Sequence, residues 1–138
     1  MPKYRKSIEP LPVPTPISKP FWDATKEHRL LLQECPTGHR FFYPRSHCPA
    51  CLSNELAWVD AAGTGHLHSY TVARRPTSPE FAEDVPYVIA VIRLDEGPSM
   101  TSMLVECDPD AVEIEGRVEV VWDDVTDEIS LPYFRPVT

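Results

Sequence analysis

Four residues able to ligate a metal, Cys35, His39, Cys48 and Cys51, fall within the seventeen-residue stretch CPTGHRFFYPRSHCPAC. No other feature narrows the fold as much. Two short ligand-bearing turns joined by a pair of hairpin strands are the layout of a zinc ribbon. The second turn, Cys48-Pro49-Ala50-Cys51, is a regular C-x₂-C. The first is one residue longer, because Gly38 stands where a second cysteine would close the same pattern and His39 follows it. A C-x₃-H turn can still chelate, since an imidazole reaches further from the backbone than a thiolate does. Zinc takes three thiolates and one imidazole tetrahedrally at about 2.0–2.3 Å. A structural ion of this kind contributes about 10–16 kcal/mol of apparent folding free energy near neutral pH. His47 is the reserve ligand, although neighbours such as His47 and Cys48 rarely bend back to one ion.

Composition decides how the cysteines are used. Hydrophobic residues make up 42% and charged residues 25% of the 138-residue chain, the balance of a soluble globular protein. A chain of this size buries roughly 68–70% of its extended surface, enough for one core. No run approaches the roughly 20 apolar residues of a membrane span, and MPKYRKSIEPLPVPTPI lacks the apolar centre of a signal peptide. The expected location is therefore the cytoplasm, where reduced cysteines favour metal over disulfide. Asp and Glu outnumber Lys and Arg by 21 to 13, a net charge of −8. Phosphate backbones are bound mainly by clustered Lys and Arg, so this balance argues against nucleic acid as a partner.

The chain reads as three parts: residues 1–33 as a proline-rich arm and short helix, 34–55 as the ribbon, and 56–138 as a strand-rich domain. The first twenty residues hold six of the sixteen prolines, Pro2, Pro10, Pro12, Pro14, Pro16 and Pro20, which favours an extended arm over helix or sheet interior. Ser18 to Glu27 reads as a helix with Ser18 at the N-cap and Pro20 in the first turn. Beyond Leu56, short runs rich in Val, Ile, Thr and Tyr alternate with turn residues. Strands are expected at 56–59, 66–73, 87–94, 102–106, around 117–122 and at 129–134. Gly63-Thr64-Gly65 and Asp95-Glu96-Gly97 break them. At the strand period of two, Leu67, Ser69 and Thr71 should share one face, and His66, His68, Tyr70 and Val72 the other. Five or six strands without a long helix favour a five-stranded oligonucleotide/oligosaccharide-binding (OB) barrel.

An ordered series of motifs runs through the chain: Phe21-Trp22-Asp23, Leu30 to Cys35, Tyr43-Pro44-Arg45, Cys48-Pro49-Ala50-Cys51, Gly63-Thr64-Gly65, Ser69-Tyr70-Thr71-Val72, Val85-Pro86-Tyr87, Leu94 to Gly97 and Pro132-Tyr133-Phe134. From Pro20 onward this order resembles the zinc-ribbon plus OB-fold acyl-CoA-associated proteins, catalogued as a domain of unknown function. The resemblance implies a mainly β protein, with an N-terminal helical segment, a rubredoxin-like zinc ribbon and a C-terminal OB barrel. It also implies a non-catalytic accessory role beside a thiolase-fold partner (a thiolase, aldolase or acyltransferase) that carries the chemistry on an acyl-CoA substrate. The chain departs from the family at Gly38, where the common pattern has a second ribbon cysteine. That departure bears on zinc occupancy more than on the fold.

The residues themselves offer no clear catalytic set. Cys107, the one cysteine outside the ribbon, reads as a small core hydrophobe rather than a nucleophile. His66 and His68 fit an exposed strand face as well as a ligand site. The acid-rich stretch from Asp123-Asp124 to Asp127-Glu128 reads as a solvated turn, without the glycine and ligand spacing of a calcium loop. A coenzyme A thioester shared with the partner would need cations for its phosphates, and Arg40, Arg45, Arg74 and Arg75 are the local candidates. As surface pairs for carboxylates the same arginines would contribute only about 0–1 kcal/mol each. Three alternatives remain open: a stand-alone acyl-CoA binder, a nucleic-acid module using its OB face, and a rubredoxin-like redox centre. The last would want four thiolates where the ribbon holds three.

Overall fold

A computed structural model describes residues 11–76 and 79–137. The arm expected from Pro2 and Pro10 lies outside the described residues, and 11–15 form neither helix nor strand. The helix expected at 18–27 is shorter, α1 at Lys19–Thr25, with Pro20 in its first turn. Ser18 occupies the N-cap position without capping, because its hydroxyl accepts from the Thr15 backbone N–H instead. The helix ends where the Thr25 hydroxyl bonds back to the Trp22 carbonyl at 2.6 Å and His28 takes a positive φ of 57°. Phe21, Ala24 and Thr25 form its buried side.

Three strands build the ribbon sheet: β1 (Leu30–Glu34), β2 (Arg40–Phe41) and β3 (Ala57–Ala61), in the order β2-β1-β3. The strand expected at 56–59 thus exists, but it pairs antiparallel with β1, Leu30 opposite Ala61 and Glu34 opposite Ala57. It does not join the barrel strands. Its short apolar alternation suits either sheet, and only the partner decides between them.

The closed barrel consists of β4 (Thr64–Ala73), β5 (Tyr87–Leu94), β6 (Ser99–Leu104), β7 (Arg117–Asp124) and β8 (Ser130–Pro136), in the order β4-β5-β6-β8-β7. Pairing of β4 with β7, Gly65 opposite Val118, closes it. The expectation of a mainly β chain with a ribbon and a five-stranded OB barrel is met. Four local expectations change. The strand placed at 102–106 is β6, which begins three residues earlier and ends at Leu104, because Gly97 (φ 112°) closes a tight turn after Leu94. The break at Gly63-Thr64-Gly65 shrinks to Gly63 (φ 80°), as Thr64 and Gly65 already pair in β4. Asp123 and Asp124 are not in a solvated turn but at the end of β7, and Asp123 is buried.

The fourth change concerns the faces of β4. Leu67 stands opposite Ile92 while Ser69 stands opposite Val91, so the register shifts at His68. One extra residue on one strand is a β-bulge, and it moves every later side chain to the other face. Leu67 is buried, and Tyr70 and Val72 pack on the same core, so the predicted division of faces holds only up to Leu67.

One core joins the two parts. Phe21 and Ala24 of α1, Leu30–Leu32 of β1 and Phe42 cluster with Leu67, Val88, Ile92, Leu94, Leu104, Val118 and Phe134 of the barrel. Full burial of side chains such as Phe134 or Ile92 contributes about 1.5–3 kcal/mol each. A second, smaller cluster of Cys35, Phe41 and Cys48, with Leu56 against it, lies under the metal turns.

Candidate functional site

The first metal turn grows directly from the β1–β2 hairpin. The Cys35 N–H donates to the His39 carbonyl at 3.0 Å and the Gly38 N–H to the Cys35 carbonyl at 2.9 Å. Gly38 adopts φ 93°, a left-handed conformation that glycine enters without the penalty of a Cβ. This reversal lets the longer C-x₃-H turn bring His39 back toward Cys35. The His39 N–H points at Cys35 Sγ (3.3 Å), as the Ala50 N–H points at Cys48 Sγ (3.4 Å) in the second turn. At Cys35 this backbone donor favours the thiolate.

All four predicted ligands converge. One ligand atom from each of Cys35, His39, Cys48 and Cys51 lies within 4.8 Å of the others. Zn–S bonds of about 2.3 Å in a tetrahedron give S···S edges of about 3.8 Å, and the Cys35 and Cys51 sulfurs are 3.7 Å apart. His39 Nδ1 is 3.2 Å from Cys35 Sγ. A hydrogen bond from the Thr37 hydroxyl, followed by the backbone N–H groups of His39 and Thr37, brings the Cys35 thiol down to about 6 against the pull of burial. The thiolate, the form that ligates metals, therefore predominates there at neutral pH. Cys35 and Cys48 are buried while His39 and Cys51 are exposed, so the donor set, spacing and chemistry fit a zinc ion at the molecular edge. His47 pairs with the Ser46 hydroxyl instead.

Between ribbon and barrel runs an apolar groove of about 510 Å³. Phe21, Trp22 and Phe42 wall one side, and Met100, Met103 and Tyr133 the other. Phe21 meets both Trp22 and Phe42 edge-on, at 4.9 and 5.4 Å between centroids, an arrangement favoured by the ring quadrupoles. Tyr43 bridges the mouth, its hydroxyl accepting from the Thr101 N–H of β6 at 2.8 Å. The groove follows the seam where β6 and β8 meet only at Leu104 and Phe134, in parallel. There the Ser102 hydroxyl donates to the Pro132 carbonyl at 2.6 Å.

The predicted cations are placed apart along the chain. Arg45 is exposed and follows Pro44, which lines the groove. Arg74 and Arg75 are exposed at the end of β4, and Arg74 pairs with Asp110 at 3.0 Å. Burial, and then the charge of Asp108, push the Cys107 thiol up. His66 lies 3.1 Å from Glu115, while His68 occupies the bulge.

Sequence reasoning missed Gln33 and Thr37. Gln33 is buried, and its side chain donates to the Arg45 carbonyl (3.0 Å) and accepts the Arg45 N–H (2.7 Å). It thereby fixes the loop that carries Tyr43 and Pro44. A glutamine closing an otherwise apolar Leu30–Leu32 run was the available signal. For Thr37, a hydroxyl inside a ligand turn was the only hint.

Comparison with known proteins agrees with this architecture. Residues 22–57 match the family profile described as "ChsH2, rubredoxin-like zinc ribbon domain", and residues 58–123 the one described as "ChsH2, C-terminal OB-fold domain". A "DUF35 domain-containing scaffold protein" of Methanothermobacter thermautotrophicus is 42% identical over 92 residues, 66% of this chain and 68% of that protein. A "Probable enoyl-CoA hydratase alpha subunit" of Thermomonospora curvata is 36% identical over 132 residues, covering 95% of this chain but 41% of the relative, so the chain spans less than half of that protein's length. The solved structure "Ltp2-ChsH2(DUF35) aldolase" contains a chain that superposes with a TM-score of 0.82 at 36% identity, over 93% of this chain and 100% of that one. With residues 22–123 matched by the two profiles, and a scaffold relative 42% identical and matched over two thirds of its length, the chain belongs to the DUF35 family of ChsH2-type zinc-ribbon and OB-fold proteins.

Proposed function

We propose that this chain is a non-catalytic accessory subunit of a thiolase-fold enzyme acting on acyl-CoA, working in the cytoplasm. The observation that carries this reading is the likeness to the DUF35 chain of an aldolase assembly, which extends over that entire chain. The groove supports it. A site with an apolar surface and few polar groups suits an acyl chain or the apolar rim of a partner's substrate entrance. Arg45 beside the groove, with Arg74 and Arg75 at the end of β4, would meet the phosphates of a coenzyme A thioester shared with the partner. Cys35, His39, Cys48 and Cys51 would hold a structural zinc that pins the ribbon wall of the groove.

The test is co-expression with the neighbouring genes of the native host and affinity capture through a tag on this chain. The expected outcome is recovery of a thiolase-fold protein, with thioester turnover by the complex and none by this chain alone. Turnover by the isolated chain, or a stable chain that captures no such protein, would overturn the reading. A stand-alone acyl-CoA binder is the second reading, favoured by the groove itself. It predicts calorimetric heat on titrating an acyl-CoA into the purified chain, and a Met103→Glu substitution should abolish that heat.

A further inference from the structure

The Thr37 hydroxyl occupies a position that the ligand spacing alone does not explain. Its oxygen lies 3.1 Å from Cys35 Sγ and 3.1 Å from His39 Nδ1. It also stands 3.9 Å from Cys51 Sγ, the longest of the three contacts. Cys35 Sγ and His39 Nδ1 are themselves 3.2 Å apart, so the hydroxyl completes a nearly equilateral triangle with two members of the ligand set. The second turn, Cys48 to Cys51, places no hydroxyl residue between its two cysteines. The longer first turn does, at the residue before Gly38.

We propose that Thr37 is a positioning residue of the metal centre, its hydroxyl donating to Cys35 Sγ, and that His39 meets the ion through Nδ1, the ring nitrogen beside that sulfur. This rests on the reading that Cys35, His39, Cys48 and Cys51 bind zinc. A threonine hydroxyl carries a single proton. Once the ion takes the Nδ1 lone pair, the nearest acceptor in the ligand set for that proton is Cys35 Sγ, at 3.1 Å against 3.9 Å for Cys51. Donation to a thiolate disperses charge in a centre where three thiolates and one neutral imidazole leave a net −1 around a divalent ion. His39 Nδ1 lies 3.2 Å from the Cys35 Sγ that this contact orients. Nε2 is then the far nitrogen of the ring and keeps its proton. Outer partners of this kind typically alter metal affinity about 10–100-fold.

The experiment uses the full chain and measures zinc affinity by competition with a chromophoric chelator, with cobalt(II) absorption as a second readout of tetrahedral thiolate coordination. Thr37→Val should bind zinc about 10–100-fold more weakly and shift the thiolate-to-cobalt charge-transfer band, whereas Thr37→Ser should restore both to wild type. Nitrogen NMR of the histidine ring in the zinc-loaded wild type should show Nδ1 bound and Nε2 protonated. Wild-type affinity in Thr37→Val, a Thr37→Ser protein as weak as Thr37→Val, or Nε2 as the bound nitrogen would each overturn the proposal while leaving the zinc reading intact. A wild-type chain that takes up no stoichiometric zinc or cobalt would bring down both.

Discussion

Asp95 shows how one side chain can lock a barrel shut. It follows β5, yet its carboxylate receives both terminal nitrogens of Arg117 on β7, at 2.6 and 2.9 Å, and the hydroxyl of Thr64 on β4. These are the two strands whose pairing closes the barrel. The Arg117 hydrogen bonds, and then that of Thr64, hold the Asp95 carboxyl well below the usual range. A carboxyl lowered in the folded state stabilises the fold above its unfolded value of about 3.9, and that stabilisation fades as pH falls through the folded value. Because the pair is partly exposed, Asp95→Asn should cost only about 1 kcal/mol at pH 7. In urea titrations the difference from wild type should begin to narrow below about pH 4. A gap that widens on acidification would contradict this assignment.

Among the elements, β4 carries the most constraint. Its first half pairs with both β5 and β7, and Gly65 stands opposite Leu94 on one side and Val118 on the other. A Cβ at Gly65 would land on the Arg93 carbonyl oxygen, with the Leu94 Cα 3.0 Å away. Backbone cannot give way as a side chain can. Gly65→Ala should therefore destabilise by about 1–3 kcal/mol, as overpacking does, seen as a lower midpoint in thermal or urea unfolding. Wild-type stability in Gly65→Ala would mean that β4 and β5 lie further apart than described. Gly38 is the contrast, since a Cβ there meets nothing within 4 Å and only its φ of 93° resists substitution.

At the scale of the whole molecule, the question is whether ribbon and barrel fold as one unit. Phe21 is 4% exposed and belongs to the same cluster as Leu32 of β1 and Phe134 of the barrel. Truncating it to alanine should cost about 3–5 kcal/mol of global stability. A loss under about 1 kcal/mol would show that the two parts do not share a core. Metal removal probes the same coupling from the other end. The small cluster of Cys35, Phe41 and Cys48 has little apolar area beyond its ligands, so stripping zinc with a strong chelator should release amide protection in residues 35–51 first. Barrel amides in β5 should stay protected. Uniform loss of protection across both parts would place the coupling in the shared core instead.

Much of this protein was written locally. The ligand spacing gave the ribbon, the run Tyr87–Leu94 gave β5 with its observed bounds, and the turn at Gly97 separated two strands. Each depends on residues adjacent in the chain, whose period or conformational freedom is readable in place. Tertiary structure alone decided the rest. The bulge at His68 exists only as a two-against-one match with β5, and β3 carries the same alternation whichever sheet it joins. Gln33 reads as a polar interruption until the Arg45 backbone, twelve residues on, arrives to take both of its hydrogen bonds. The groove is likewise made of side chains from a helix, a ribbon loop and three barrel strands. No local pattern encodes it, because its shape is the distance left between surfaces that meet only when the chain has folded.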